Sequence, residues 1–113
     1  MAFYESIFIL KSSVSEEEAS FVQDKMKETL EKHGASIIKA ENWGKKKLAY
    51  EIAHDRRGTY AFLQFEAGGN VVSELERLYR LEDSILKFLT VRVDEEDLQV
   101  PAVETVESDS GGV

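Results

Sequence analysis

Two hydrophobic periods alternate along this chain. Phe3 to Leu10, "FYESIFIL", is apolar and β-branched enough for a buried strand. Ser15 then opens a helix as a capping box: its hydroxyl suits the amide of Glu18, Glu18 reaches back, and Val14 is placed to staple onto Ala19. Ala19, Val22, Met26 and Leu30 recur at helical spacing and make one buried stripe, flanked by Phe21, and Gly34 supplies the left-handed stop. A strand follows from about Ser36 to Ile52, interrupted near Asn42-Trp43-Gly44. After a turn at His54-Asp55-Arg56-Arg57-Gly58, another runs from about Thr59 to Ala67. Gly68-Gly69-Asn70 opens a second helix with Val71, Val72, Leu75, Leu78 and Tyr79 inward, and the last strand is Ile85 to Val93.

The order is βαββαβ. Its two split βαβ units predict an α+β fold, a four-stranded antiparallel sheet with both helices on one face. The other face has no helix to cover it. Ala61, Leu63, Phe65 and Ala67 share one side of the third strand, and Tyr60, Phe62, Gln64 and Glu66 the other. The first strand is apolar on both sides, Phe3, Ile7 and Ile9 opposing Tyr4, Phe8 and Leu10. Apolar side chains on an open sheet face predict a partner there, unless loops or the chain end fold over them.

Composition changes this picture in two places. Cysteine is absent, which excludes disulfides and thiolate metal sites and makes a reducing, cytoplasmic setting the expectation. No apolar run reaches the roughly 20 residues of a membrane span, and Met1-Ala2-Phe3-Tyr4-Glu5 does not read as a signal peptide. The net charge of −8 argues against a nucleic-acid partner until its distribution is considered. Residues 94–113 hold seven acids and no Lys or Arg, leaving 15 acids and 14 bases for residues 1–93. The expected organisation is a nearly neutral domain over 1–93 and an acidic tail over 94–113, disordered by itself because it cannot bury enough surface to offset its ordering entropy.

Little supports catalysis. His33 and His54 fall at a helix end and in a turn, with no metal-binding spacing, and Glu16-Glu17-Glu18 occupies a first helical turn, where acids answer the helix dipole. Gly68-Gly69 lacks the Lys-Ser/Thr of a phosphate loop. No metal, cofactor, membrane or small-molecule substrate is expected. The basic residues say more. Lys45, Lys46 and Lys47 alternate across the second strand, Arg56 and Arg57 lie at the hairpin end, and Arg80, Lys87 and Arg92 lie in or near the last strand. Lysine offers a mobile point charge and arginine a fork for phosphate oxygens, so these are candidate contacts to an RNA backbone. Lysines on an edge strand also prevent edge-to-edge aggregation, and the triplet alone fits either role.

The stretch "RGTYAFLQF", residues 57–65, resembles the third-strand motif of RNA recognition motif domains, with Tyr60 and Phe62 as the stacking aromatics. Thr59 is one residue too many for that motif, and "IFIL" lacks the Asn-Leu that usually ends its companion. A wider resemblance covers residues 3–93. "YESIFIL", Ser15-Glu16-Glu17-Glu18, "WGKKKLAYEI", "GTYAFLQFEA", "ELERLYRLEDSILKFLTV" and the acidic end are together similar to the bacterial small-subunit ribosomal protein S6 family. The resemblance implies a ferredoxin-like fold, no enzymatic activity, and a structural place in the small subunit, on central-domain rRNA beside ribosomal protein S18. On that reading Lys45, Lys46, Lys47, Arg56, Arg57, Arg80, Lys87 and Arg92 are the candidate rRNA contacts, and Trp43, Leu48, Tyr50, Tyr60 and Phe62 the candidate partner contacts. The alternatives are a stand-alone, RNA recognition motif-like binder of single-stranded RNA, and an acylphosphatase-like hydrolase. The hydrolase needs an arginine after the first strand, where Lys11-Ser12-Ser13-Val14 has none.

Overall fold

The first strand, apolar on both sides, lies inside the sheet. The computed structural model describes residues 1–52 and 55–96. Its elements are β1 (Ala2–Lys11), α1 (Glu16–Lys32), β2 (Ser36–Ile52), β3 (Asp55–Ala67), α2 (Gly69–Leu81) and β4 (Ile85–Val93). The strands pair antiparallel in the order β2-β3-β1-β4, so β1 has a neighbour on each edge. This is the expected ferredoxin-like arrangement. Phe8 and Leu10 of β1, with Ala61, Leu63 and Phe65 of β3, meet the α1 stripe Ala19, Val22, Met26 and Leu30 and the α2 residues Val71, Leu75 and Tyr79. The Ser15 Oγ accepts from the Glu18 amide at 3.1 Å, and Val14 and Ala19 are both buried in this core.

Phe21 flanks that stripe as an exposed ring, 68% accessible, with the Lys25 ammonium 5.7 Å from its centroid. The β2–β3 pair departs from expectation. The strand is not interrupted at Asn42-Trp43-Gly44: it continues through a bulge, with Gly44 at φ 85° and its amide donating to Asn42 Oδ1 at 2.8 Å. β3 begins at Asp55, so Arg56, Arg57 and Gly58 are strand and not turn. Gly58 is there for close approach. A Cβ at that position would lie 2.5 Å from Ile9 Cγ2 and 3.0 Å from the Leu10 carbonyl oxygen. The expectations for His54 and for residues 97–113 lie outside the described residues.

One buried polar cluster joins sheet to helix. Ser6 Oγ, with no exposure, is 2.7 Å from the Tyr79 hydroxyl and 2.8 Å from Thr90 Oγ1. Burial holds the Tyr79 phenol well above its ordinary pKa, so it acts only as a neutral hydrogen-bonding group. Ser6→Ala strips the Tyr79 hydroxyl of that partner and is expected to cost about 1–2 kcal/mol. Tyr79→Phe leaves Ser6 bonded to Thr90 and should cost less, about 0.5–1 kcal/mol. Chemical denaturation of both variants checks the order; the reverse order would show that Thr90, not Ser6, is the centre of the cluster.

Candidate RNA and protein interface

The face opposite the helices carries Phe3, Glu5, Ile7 and Ile9 from β1. In register with Ile7 stand Phe62 of β3 and Leu89 of β4, and with Ile9 stand Tyr60 and Lys87. This face is not bare. The indole of Trp43 stacks on Phe62 with ring centroids 5.0 Å apart and planes 15° from parallel. Its Nε1 donates to Glu41 Oε1 at 3.0 Å. The bulge that aims Trp43 is tied to α1: Gln23 Nε2 donates to the Glu41 carbonyl at 2.8 Å and to that of Phe62 at 3.3 Å. Phe62 is therefore 1% exposed, and the stacking position expected for an RNA base is occupied by Trp43. Phe62, expected as a partner contact, thus lies beneath Trp43, which is half-buried and presents the outer ring face.

A second covering comes from the outer half of β2. The β2–β3 register runs from Lys47 opposite Arg57 straight to Ile52 opposite Asp55, so residues 48–51 stand against Arg56 alone, three more on the β2 side. They curl inward over the open face. Leu48, expected as a partner contact, is 6% exposed, and its Cδ2 lies 3.5 Å from where a Gly58 Cβ would be, which packs it into the hairpin. Tyr50 stays 59% exposed, yet its hydroxyl accepts from Lys87 Nζ at 2.5 Å and its ring centroid is 5.2 Å from that ammonium. Since β3 and β1 separate β2 from β4, this contact crosses the sheet. Beneath it lies a groove of about 220 Å³, lined by Ile7, Ile9, Leu48, Tyr50, Tyr60 and Leu89 among others.

The candidate cations divide between two places. Lys45 and Lys47 are exposed on the outer half of β2, with Lys46 half-buried between them, as alternation across a strand requires. Arg56 and Arg57 are exposed on the facing strand; Arg56 Nε is 3.8 Å from Glu51 Oε2. Lys87 joins this group through Tyr50. Arg80 does not: it lies on α2 with its guanidinium 5.7 Å from the Phe88 ring. Arg92, two pairs of residues along β4 from Phe88, shares the helix side of the sheet. The residues that sequence reasoning passed over are Gln23, which looks like an ordinary helix-surface amide, and Leu89 and Val91, exposed on β4.

Among the described residues no cluster of His, Asp or Glu could hold a metal ion, and no helix is long and apolar enough to cross a membrane. Residues 3–92 match the family model described as ribosomal protein S6. The chain belongs to the ribosomal protein S6 family. It is 37% identical to the small ribosomal subunit protein bS6 of Caulobacter sp. strain K31, over 91% of this chain and 82% of that protein. It is 39% identical to its counterpart in Rickettsia rickettsii strain Sheila Smith, over 83% and 78% of the two chains. The crystal structure of 30S ribosomal protein S6 from Thermotoga maritima superposes with a TM-score of 0.79 at 32% identity, covering 92% of this chain and 96% of that one. The C-terminal domain of the MgtC protein from Mycobacterium tuberculosis also superposes, with a TM-score of 0.57 at 8% identity, and shares the fold alone. As an S6 family member the chain is a structural protein of the small ribosomal subunit, cytoplasmic in that particle, and not an enzyme.

Proposed function

We propose that this protein binds central-domain rRNA of the small subunit jointly with ribosomal protein S18. The observation that carries the reading is the placement of Lys45, Lys47, Arg56 and Arg57 on the outer hairpin, beside an open sheet face rich in apolar side chains. Cations at one end suit phosphates, and the apolar face suits protein. The division of labour follows from charge. Backbone affinity comes from counterions released as phosphates are neutralised, and proteins that hold RNA alone usually carry a large basic excess. Here residues 1–93 are nearly neutral and residues 94–113 are acidic, which repels a polyanion within about a Debye length, roughly 8 Å at physiological salt. The acidic end attracts a basic protein instead. In this reading residues 1–93 form the binding domain and residues 94–113 an accessory tail.

The experiment is titration onto a central-domain rRNA fragment at physiological salt, with and without S18. Weak binding alone and tight binding with S18 is expected; equally tight binding in both would favour the stand-alone RNA binder. The covered Phe62 already counts against that second reading, which needs an exposed ring to stack on bases. For the cations, Lys45→Ala with Lys47→Ala should leave stability within about 0.5 kcal/mol per site. The log–log salt dependence of joint binding should become shallower by about 0.9 for each phosphate that the variant no longer neutralises on duplex-like RNA. An unchanged slope would assign these lysines to protection of the β2 edge.

A further inference from the structure

The Tyr50–Lys87 contact is exposed and lies outside the packed core. Leu48 anchors the inward curl of residues 48–51 against Ile9 and Gly58, so the hairpin does not need Tyr50 for its packing. Yet Tyr50 reaches past β3 and β1 to the far edge strand and forms one wall of the groove that Ile7, Ile9 and Leu89 also line. The same contact occupies Lys87, whose ammonium is both hydrogen-bonded to the Tyr50 hydroxyl and close to its ring. Exposed pairs of this kind are individually weak, because water and salt compete for both groups. The apolar groove beneath, by contrast, gains from any protein surface that displaces solvent from it. Leu89 and Val91, exposed along the β4 side of that face, extend the apolar area a partner would cover.

We propose that Tyr50 and Lys87 form a latch: closed, it screens the open-face groove and holds the Lys87 cation; opened, it gives a protein partner the groove and leaves Lys87 for a phosphate. This rests on the reading that the open face meets a protein partner, and it adds an order to assembly. A basic protein that occupies the groove displaces Tyr50, and only then is the β4 cation available to RNA. Because only the open form is competent, the closed fraction lowers apparent affinity in proportion.

The chain has no cysteine, so Tyr50→Cys with Lys87→Cys introduces two unique thiols. A bis-maleimide linker containing a reducible disulfide, matched to the span of the two replaced side chains, then ties the arm shut. In the free double variant the linker should close within one molecule. The linked protein should bind purified S18 at least about tenfold more weakly than the same protein after reduction. Circular dichroism checks that both forms are folded. As an independent variant, Tyr50→Phe keeps the ring and loses the hydroxyl, and should speed S18 association by about two- to tenfold, the equivalent of one net hydrogen bond. Equal S18 binding by linked and reduced forms, failure of the linker to close intramolecularly, or an unchanged rate for Tyr50→Phe would each overturn the latch while leaving the joint-binding reading intact. Absence of S18 binding by the unmodified protein would overturn that reading and the latch with it.

Discussion

Phe62→Ala is expected to cost about 3–5 kcal/mol, the range for removing a fully buried aromatic ring. Phe62 faces the side of the sheet without helices, so a purely topological view would expect it to be exposed and its removal to be nearly neutral. The structure reverses that view. Trp43 lies flat on the ring, Ile7 stands opposite it in the ladder, and 1% of its surface remains accessible. Truncation leaves a cavity whose lid, the indole, is itself held by the Glu41 hydrogen bond and so collapses poorly. Trp43→Ala should cost less, about 1–3 kcal/mol, because the indole is only half-buried and its loss opens the site to water without enclosing a void. Denaturant unfolding with an unchanged m-value is the check. A loss below about 1 kcal/mol for Phe62→Ala would mean that Trp43 does not stack there in solution, and would make Phe62 an RNA-stacking candidate again.

Gly58→Ala comes next, at about 2–3 kcal/mol. The added methyl would meet Ile9 Cγ2 at 2.5 Å and the Leu10 carbonyl oxygen at 3.0 Å. Ile9 is β-branched and 9% exposed, which restricts its χ1, and the carbonyl belongs to an inner strand. The strain is relieved by moving the outer hairpin away from β1. The variant should therefore lose joint RNA binding as well as stability, whereas Lys45→Ala and Lys47→Ala should weaken binding alone. Near-wild-type stability for Gly58→Ala would show that β1 and β3 have room to separate at their Lys11–Gly58 end.

The legible parts of the fold were those written in period and punctuation. The α1 stripe, its Ser15 cap and the bounds of β4 follow from spacing alone, because each depends on residues near in sequence. The misplaced parts depend on distant ones. Gly58 reads as turn punctuation until Ile9 and Leu10 are seen against it, and Asn42-Trp43-Gly44 reads as an interruption until Gln23 is seen bracing the bulge. The candidate site was legible as a set of cations but not as a place. Parity along β4 already sets Arg92 apart from Lys87, yet only the three-dimensional path of residues 48–51 brings Lys87 to the hairpin. The S6 resemblance was legible because its densest run, "WGKKKLAYEI", spans the bulge and the curl that give this hairpin its shape.

On the proposed reading the open face and the hairpin make the contacts and the helix layer makes none. Hydroxyl-radical footprinting of the protein, free and reconstituted with S18 and central-domain rRNA, tests this on four exposed, oxidisable side chains. Tyr50 and Leu89, 59% and 62% exposed, mark the open face; Phe21 and Leu81, 68% and 65% exposed, mark the helices. Loss of oxidation at Tyr50 and Leu89 with Phe21 and Leu81 unchanged is the predicted result, and protection of Phe21 and Leu81 with Tyr50 and Leu89 still oxidised would contradict it.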